Sequence, residues 1–277
     1  MALFVSDVHL GDHDPDTADA FFSALDAHAP AATHLFVLGD LFDAWIGDDW
    51  ADTVSGRLLG RLAALSAAGT RVLVMRGNRD FLLDVPGAAT GDGAQAAAPS
   101  FSARCGATML DDPCVVELFG RRVLLAHGDA LCTDDVDYLT FRAQARSAAW
   151  QHAFLAQPVE RRVATARAMR AQSEASKGGK ADYLMDVNLA AVGDAMRAAD
   201  VTCLIHGHTH RPAEHRFRLD GLDATRWVLP DWDAGASHTG ASHASTPAST
   251  RRGGFLRVDA RGWQRLGDWP DPAAPSG

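Results

Sequence analysis

Short apolar runs recur along the chain, and several stop at a glycine next to a polar residue able to bind a cation. Ala2 to Ser6, Leu35 to Leu38, Arg71 to Met75 and Thr202 to Ile205 are runs of strand length bounded by turn residues, which predicts buried strands. Between the first two, Ala18, Phe21, Phe22 and Leu25 recur at helical spacing within Asp16 to His28, with Asp16 placed as N-cap; Val54 to Leu65 reads as a second helix stopped by Gly69. Strand, glycine turn and helix alternate three times, a βαβ rhythm. Val115 to Leu118 and Arg122 to Ala126 flank Phe119-Gly120-Arg121, a hairpin signature. Strands at Arg226 to Leu229 and Phe255 to Val258 follow.

Residues 134–199 break this rhythm. They are almost continuously helix-compatible, interrupted near Pro158 and Gly178-Gly179, and are expected to form a helical cap inserted over the strand ends. The stretches 86–102 and 234–254 turn to Ala, Gly, Ser, Thr and Pro and are expected to be flexible surface loops. No internal repeat is present, so 1–277 reads as a single domain carrying one insertion.

Hydrophobic content of 47% and charged content of 22% describe an ordinary globular chain. No stretch approaches the roughly 20 apolar residues of a membrane span, and Asp7 and His9 arrive too early for a cleaved signal. Both features point to the cytoplasm. Cys105, Cys114, Cys132 and Cys203 form no CxxC pair, so neither disulfides nor a zinc-thiolate site is expected. The net charge of −9 argues against a nucleic-acid partner. Charge is uneven, however: Arg142, Arg146, Arg161, Arg162, Arg167, Arg170, Lys177 and Lys180 face only Glu160 and Glu174 between them, interleaved with Trp150, Phe154, Leu155, Val159, Val163 and Met169. This pattern suits an anionic membrane or acidic lipid. It equally suits a solvated helical face over a core.

Chemistry gathers at the ends of the apolar runs: Asp7 with His9, Asp40, Asn78, His127, and His208 with His210. Each sits close to a glycine after a strand, so all can meet at one sheet edge, where open α/β sheets place their sites. Asp7 and His9, two apart on an extended backbone, would reach one metal. In order, the motifs are Asp-x-His, Gly-Asp-x-x-Asp, Gly-Asn, His and Gly-His-x-His. They resemble those of the calcineurin-like metallophosphoesterases, from Asp7 to His210.

That resemblance implies an α/β fold of αββα sandwich type and a two-metal centre. Asp7, His9, Asp40 and His210 would hold one ion, and Asp40, Asn78, His127 and His208 the other. An oxygen and nitrogen ligand set without sulfur favours manganese, iron or magnesium over structural zinc. Two ions about 3.5–4 Å apart would polarise a phosphoryl oxygen and turn a bridging water into the nucleophile. His206, one position further down the strand, reads as a buried or outer group. Many family members read Gly-Asn-His, whose histidine serves as an acid; here Arg79 stands, a cation that donates no proton at neutral pH. A phosphate leaving group, with a second pKa near 6, hardly needs that acid. Arg79 therefore argues for phosphoanhydride cleavage.

Longer matches are narrower. Gly-Asp-Leu-Phe-Asp-Ala-Trp-Ile-Gly-Asp-Asp from Gly39, Gly-Asn-Arg-Asp-Phe-Leu-Leu from Gly77, His-Gly-Asp-Ala-Leu-Cys-Thr-Asp-Asp from His127, Met-Asp-Val-Asn from Met185 and His-Gly-His-Thr-His-Arg-Pro from His206 resemble the UDP-2,3-diacylglucosamine pyrophosphatases of lipid A biosynthesis. Such a resemblance implies a manganese enzyme peripheral to the cytoplasmic face of the inner membrane, with an acylated sugar nucleotide as substrate and no obligatory protein partner. It implies catalytic roles for Asp40, Arg79 and His208, and substrate contacts from Asn78, Arg79, Asp135, Ser173, Lys180 and His208. Lys177 stands where relatives carry Asn, replacing a hydrogen bond by a charge. Lys177 and Lys180 are the only lysines of the chain, which suits a phosphate or sugar contact, or chance. Within Gly39 to Asp49, the half from Ala44 onward carries no evident chemistry. Two further readings stay open: a general metallophosphoesterase acting on a phosphodiester or dinucleoside polyphosphate, and a non-catalytic scaffold.

Overall fold

The strand β1 (Ala2–Val5) is buried at every position because both of its faces are covered. Leu3 and Val5 pack into a cluster with Phe21, Phe22 and Leu25 of α1 (Pro15–His28) and Leu58, Leu59 and Leu62 of α2 (Thr53–Ala67). Ala2 and Phe4 point the other way, into a cluster between two sheets. One tetrapeptide thus serves two layers of core through its period-two alternation. The structure is a computed structural model that describes residues 1–87, 98–177, 186–235 and 251–269.

β1 pairs in parallel with β2 (His34–Leu38), and β2 with β3 (Arg71–Met75). β4 (Thr108–Leu110) extends the parallel side; β10 (Gly253–Asp259) and β11 (Gly262–Asp268) add an antiparallel pair on the other, giving the order β11-β10-β1-β2-β3-β4. The facing sheet contains β5 (Cys114–Leu118), β6 (Arg121–Leu125), β7 (Cys203–His206), β8 (Ala213–Leu219) and β9 (Leu222–Val228), in the order β5-β6-β7-β9-β8. Its outer face is covered by α7 (Leu189–Ala198), whose Val192 and Met196 pack on Leu204 and Leu219. Helix, sheet, sheet, helix is the expected αββα sandwich. Above the strand ends lie α4 (Val136–Ala145), α5 (Ala148–Leu155) and α6 (Val159–Lys177).

Several local expectations change. Asp14, not Asp16, caps α1, its carboxylate accepting from the Thr17 N–H at 3.1 Å. Pro15 explains the shift: it has no N–H to satisfy and its fixed φ suits the first helical position. α7 belongs to the outer layer of the second sheet, so among the described residues of 134–199 only α4–α6 lie over the site. A further break falls at Arg146-Ser147, where the Ser147 hydroxyl caps α5. Most of 86–102 and 234–254 lies outside the described residues, yet their inner ends are structured. Ser100 caps α3 (Phe101–Cys105), whose fully buried Phe101 meets Phe42 and Trp45 edge-on, and Asp233 pairs with Arg252. β8 escaped the sequence reading because Glu214, His215, Arg216 and Arg218 break its apolar run on an exposed sheet edge.

Candidate metal centre

The site forms where the carboxyl ends of five strands from both sheets meet. β1, β2 and β3 lead to Asp7 with His9, to Asp40 and to Asn78; β6 and β7 of the other sheet lead to His127 and to His208 with His210. The expectation of one sheet edge is therefore corrected to a seam between two. The geometric argument for Asp7 and His9 also changes. Neither is extended: Asp7, His9, Asp40, His208 and His210 adopt φ of 51°, 54°, 51°, 68° and 53°. Left-handed backbone at a non-glycine residue costs about 1–3 kcal/mol, and five cases in one cluster mark turns held by their surroundings to aim side chains inward.

Asp80 does part of that holding. Fully buried, its carboxylate accepts from the backbone N–H of Gly77 at 2.7 Å, Leu41 at 2.8 Å, Asp40 at 3.3 Å and Phe42 at 3.4 Å. It thereby clamps the β2 turn to the β3 turn. The glycines let the backbones approach: a Cβ on Gly77 would overlap Asp40, and one on Gly207 would overlap Asp7.

Within the cluster, the Asn78 Oδ1 lies 3.0 Å from His127 Nε2 and 2.8 Å from His208 Nδ1. Asp40 Oδ1 lies 3.7 Å from His127 Nε2, and Asp40 Oδ2 4.0 Å from His9 Nε2. His210 Nε2 is 3.5 Å from Asp7 Oδ1 and 3.3 Å from His9 Nε2. The other ring nitrogen of His127 meets the Leu38 carbonyl at 2.9 Å, which turns Nε2 inward. Asp7, His9 and His210, and again Asp7, Asp40 and His127, each present atoms within 4.8 Å of one another.

Electrostatics agree with a site built for positive charge. Burial raises the Asp40 carboxyl to about 7, against the pull of His127 and with Asp80 and Asp7 adding to the rise. Burial would also raise Asp7, but the hydrogen bond and charge of His210, with His127 and His9, hold it below the usual carboxylate range. For His127, burial favours the neutral ring but is outweighed by Asp40, Asp129, Asp7 and Asp112, which lift it to about 9. Protons are thus doing the neutralising that a cation does better. One atom makes the fit specific: Asp7 Oδ1 is buried with nothing closer than the long 3.5 Å contact to His210 Nε2. Oxygen and nitrogen donors, buried valences left unspent and turns that admit no Cβ together suit a divalent cation.

Beside the cluster a cavity of about 430 Å³ runs between the sandwich and the helices above it. Asn78, Arg79, Asp43 and Arg170 are among its polar lining residues, and Trp45, Phe81, Trp150, Phe154 and Met169 among its apolar ones. The Arg79 guanidinium lies 3.9 Å from Asp43, which also pairs with Arg170 of α6.

Residues 2–212 match the calcineurin-like phosphoesterase model. The chain belongs to the calcineurin-like phosphoesterase family. Within this family it is similar to the UDP-2,3-diacylglucosamine hydrolase of Chromohalobacter salexigens, 46% identical over 84% of this chain and 89% of that one. The protein of the same name from Bordetella pertussis is 44% identical over 94% and 92%, and that of Aeromonas hydrophila 45% identical over 83% and 90%. A divalent metal centre goes with the phosphoesterase family, and the Asp and His groups for it are in place here.

The other singled-out residues of this phosphoesterase divide sharply. His206 is buried away from the cluster, Nδ1 against the Gly207 carbonyl at 2.8 Å and Nε2 facing Arg226 at 3.2 Å. Asp135 caps α4, accepting from the Tyr138 N–H at 3.1 Å. Ser173 and Lys177 fall on α6, while Lys180 lies outside the described residues. The reading of Arg142 to Lys180 as a cationic cover is corrected for half of its cations. Arg142 Nε pairs with Asp129 at 2.7 Å, Arg146 donates to the Gly77 carbonyl at 2.9 Å, and Arg170 pairs with Asp43. Arg162, 2% exposed, holds Asp49 and the Ile46 carbonyl. Those four pin the cap down, while Arg161 and Arg167 remain exposed. The half of the glycine-rich segment that looked chemically silent, Ala44 to Asp49, is thus an anchor for α6.

Sequence reasoning missed Asp80, Asp129 and Tyr138. The buried Asp129 accepts from the Tyr138 hydroxyl at 2.6 Å, and the Tyr138 ring stacks on His208 at 6.0 Å. Asp80 and Asp129 each follow a motif residue by one or two positions, but nothing in a linear sequence separates an acid facing the metal from one facing backbone amides.

Proposed function

We propose that the chain hydrolyses the pyrophosphate of UDP-2,3-diacylglucosamine, releasing UMP and 2,3-diacylglucosamine 1-phosphate, a step of lipid A biosynthesis. The observation that carries this reading is the cavity: Asn78 and Arg79 line it beside the cation cluster, and the same space is lined by Trp45, Phe81, Trp150, Phe154 and Met169. A substrate with a charged diphosphate and long acyl chains needs both kinds of lining in one continuous space; a dinucleotide or a small phosphodiester leaves the apolar lining unused. The names of the similar proteins support the same reading.

Two manganese ions would be held by Asp7, His9, Asp40 and His210 and by Asp40, Asn78, His127 and His208, supplying a polarised phosphoryl oxygen and a water acidic enough to attack at neutral pH. Arg79 presents a fixed guanidinium to the diphosphate. Attack at the α-phosphorus expels a sugar phosphate, an anion that departs without a protonating acid. Asp43, 3.9 Å from Arg79, aims that cation. His208 is placed by its N–H bond to Asp7 at 2.8 Å, and further substrate contacts are proposed from Asp135, Ser173, Lys177 and Lys180. Peripheral placement on the cytoplasmic face of the inner membrane fits a lipid substrate, exposed Val136 and Phe141 on α4, and described helices none of which is long and apolar enough to cross a membrane.

UMP release from UDP-2,3-diacylglucosamine on adding manganese to chelator-treated protein tests the reading. Turnover of the lipid substrate with little on p-nitrophenyl phosphate or diadenosine tetraphosphate is expected; the reverse preference would contradict it.

A further inference from the structure

We propose that Asp231 is a positioning residue for His210, a role that rests on the metal reading above. Val228 ends β9, and the chain then crosses the seam between the sheets under close restraint. The Leu229 N–H donates to the His206 carbonyl at 2.8 Å, Pro230 fixes the next φ, and the Trp232 N–H donates to the Asp7 carbonyl at 3.1 Å. Asp231 is therefore anchored on both sides to segments that carry the cluster itself. Its side chain is 8% exposed, with Oδ2 3.5 Å from His210 Nδ1 and Oδ1 buried without a partner. The opposite ring nitrogen, Nε2, faces Asp7 Oδ1.

A metal-binding imidazole must be neutral, with its proton on the nitrogen that points away from the metal. A carboxylate beside that nitrogen selects the tautomer and fixes the ring plane. His127 obtains the same service from the Leu38 carbonyl. For His210, 35% exposed at its side chain, water would otherwise compete for Nδ1, so a charged acceptor has more to do here. Arg252, with Nη2 3.0 Å from Asp231 Oδ2 and 3.2 Å from Asp233, holds that acceptor in place. Asp231 touches neither substrate nor cation and acts through His210.

The test uses manganese alone. Chelator-treated wild type, Asp231→Asn and Asp231→Ala are titrated with Mn2+, the free ion being followed by its electron paramagnetic resonance signal, and the melting temperature of each metal-free protein is recorded. Loss of the carboxylate is expected to weaken manganese binding about 10–100-fold in both variants, with metal-free Tm of Asp231→Asn close to wild type. Asp231→Asn that binds manganese as wild type does overturns the proposal while leaving the metal reading intact. Weakened binding that tracks a fall in metal-free Tm overturns it too, since the residue would then be holding the fold. A wild type that binds no manganese overturns both.

Discussion

The cation cluster and the helical cap are made from the same few side chains used to opposite ends. In the cluster, carboxylates and imidazoles converge with valences left over, Asp7 Oδ1 among them. In the cap, Arg142, Arg146, Arg162 and Arg170 are consumed by Asp129, the Gly77 carbonyl, Asp49 and Asp43. A charge that is satisfied on site builds the scaffold; one left unsatisfied in a buried place waits for a ligand. Charge counted along the chain cannot make that distinction: a local excess of cations suits a membrane surface or a solvated helical face alike, and half of it is internal bracing.

Four perturbations break or sharpen the comparison. Asp40→Ala removes the carboxylate proposed to be shared and is expected to abolish turnover and to lower the manganese bound per chain; an active variant would remove the cluster from the chemistry. Arg79→Ala, assayed by UMP release, is expected to lower kcat by about 10²–10³-fold with manganese retained, as for loss of a preorganised transition-state contact; loss of metal instead would make Arg79 part of the cluster. Acid should act next. His127 and Asp40 hold their protons up to about 9 and about 7 in the metal-free protein, so manganese must displace both, and apparent affinity is expected to fall about tenfold per unit of pH below 9 and more steeply below 7. A flat profile in a manganese titration from pH 5.5 to 8 would contradict that assignment. Smallest is Asp49→Ala, which strands the buried Arg162. Since Asp49 is half exposed, water offsets much of the loss, leaving about 1–2 kcal/mol, visible as faster proteolysis of the cap and a raised KM with kcat nearly kept.

The two regions were also unequally legible in the sequence. Buried parallel strands announce themselves as apolar runs, and Asp7, Asp40, Asn78, His127 and His208 stand where those runs stop, so the sandwich and the positions of the cluster could be read directly. What made Asp7 and His9 meet could not, because the left-handed turns that aim them depend on partners distant in sequence. Asp80 illustrates the limit: its four amide bonds come from a strand turn about forty residues upstream and from Gly77, and only folding assembles them. In the cap, α4, α5 and α6 rest on contacts such as Arg162 with Ile46 and Asp49, made across more than a hundred residues, so helicity was visible and attachment was not. Asp231 was silent for the same reason, since its meaning comes from the neighbour it finds.

Isotope placement tests the central claim most directly. Hydrolysis of UDP-2,3-diacylglucosamine by the manganese-loaded chain in H2¹⁸O, followed by mass analysis of both products, is expected to put the heavy oxygen in UMP, as attack at the α-phosphorus requires. Label in the lipid sugar phosphate, or no cleavage at all, would contradict it.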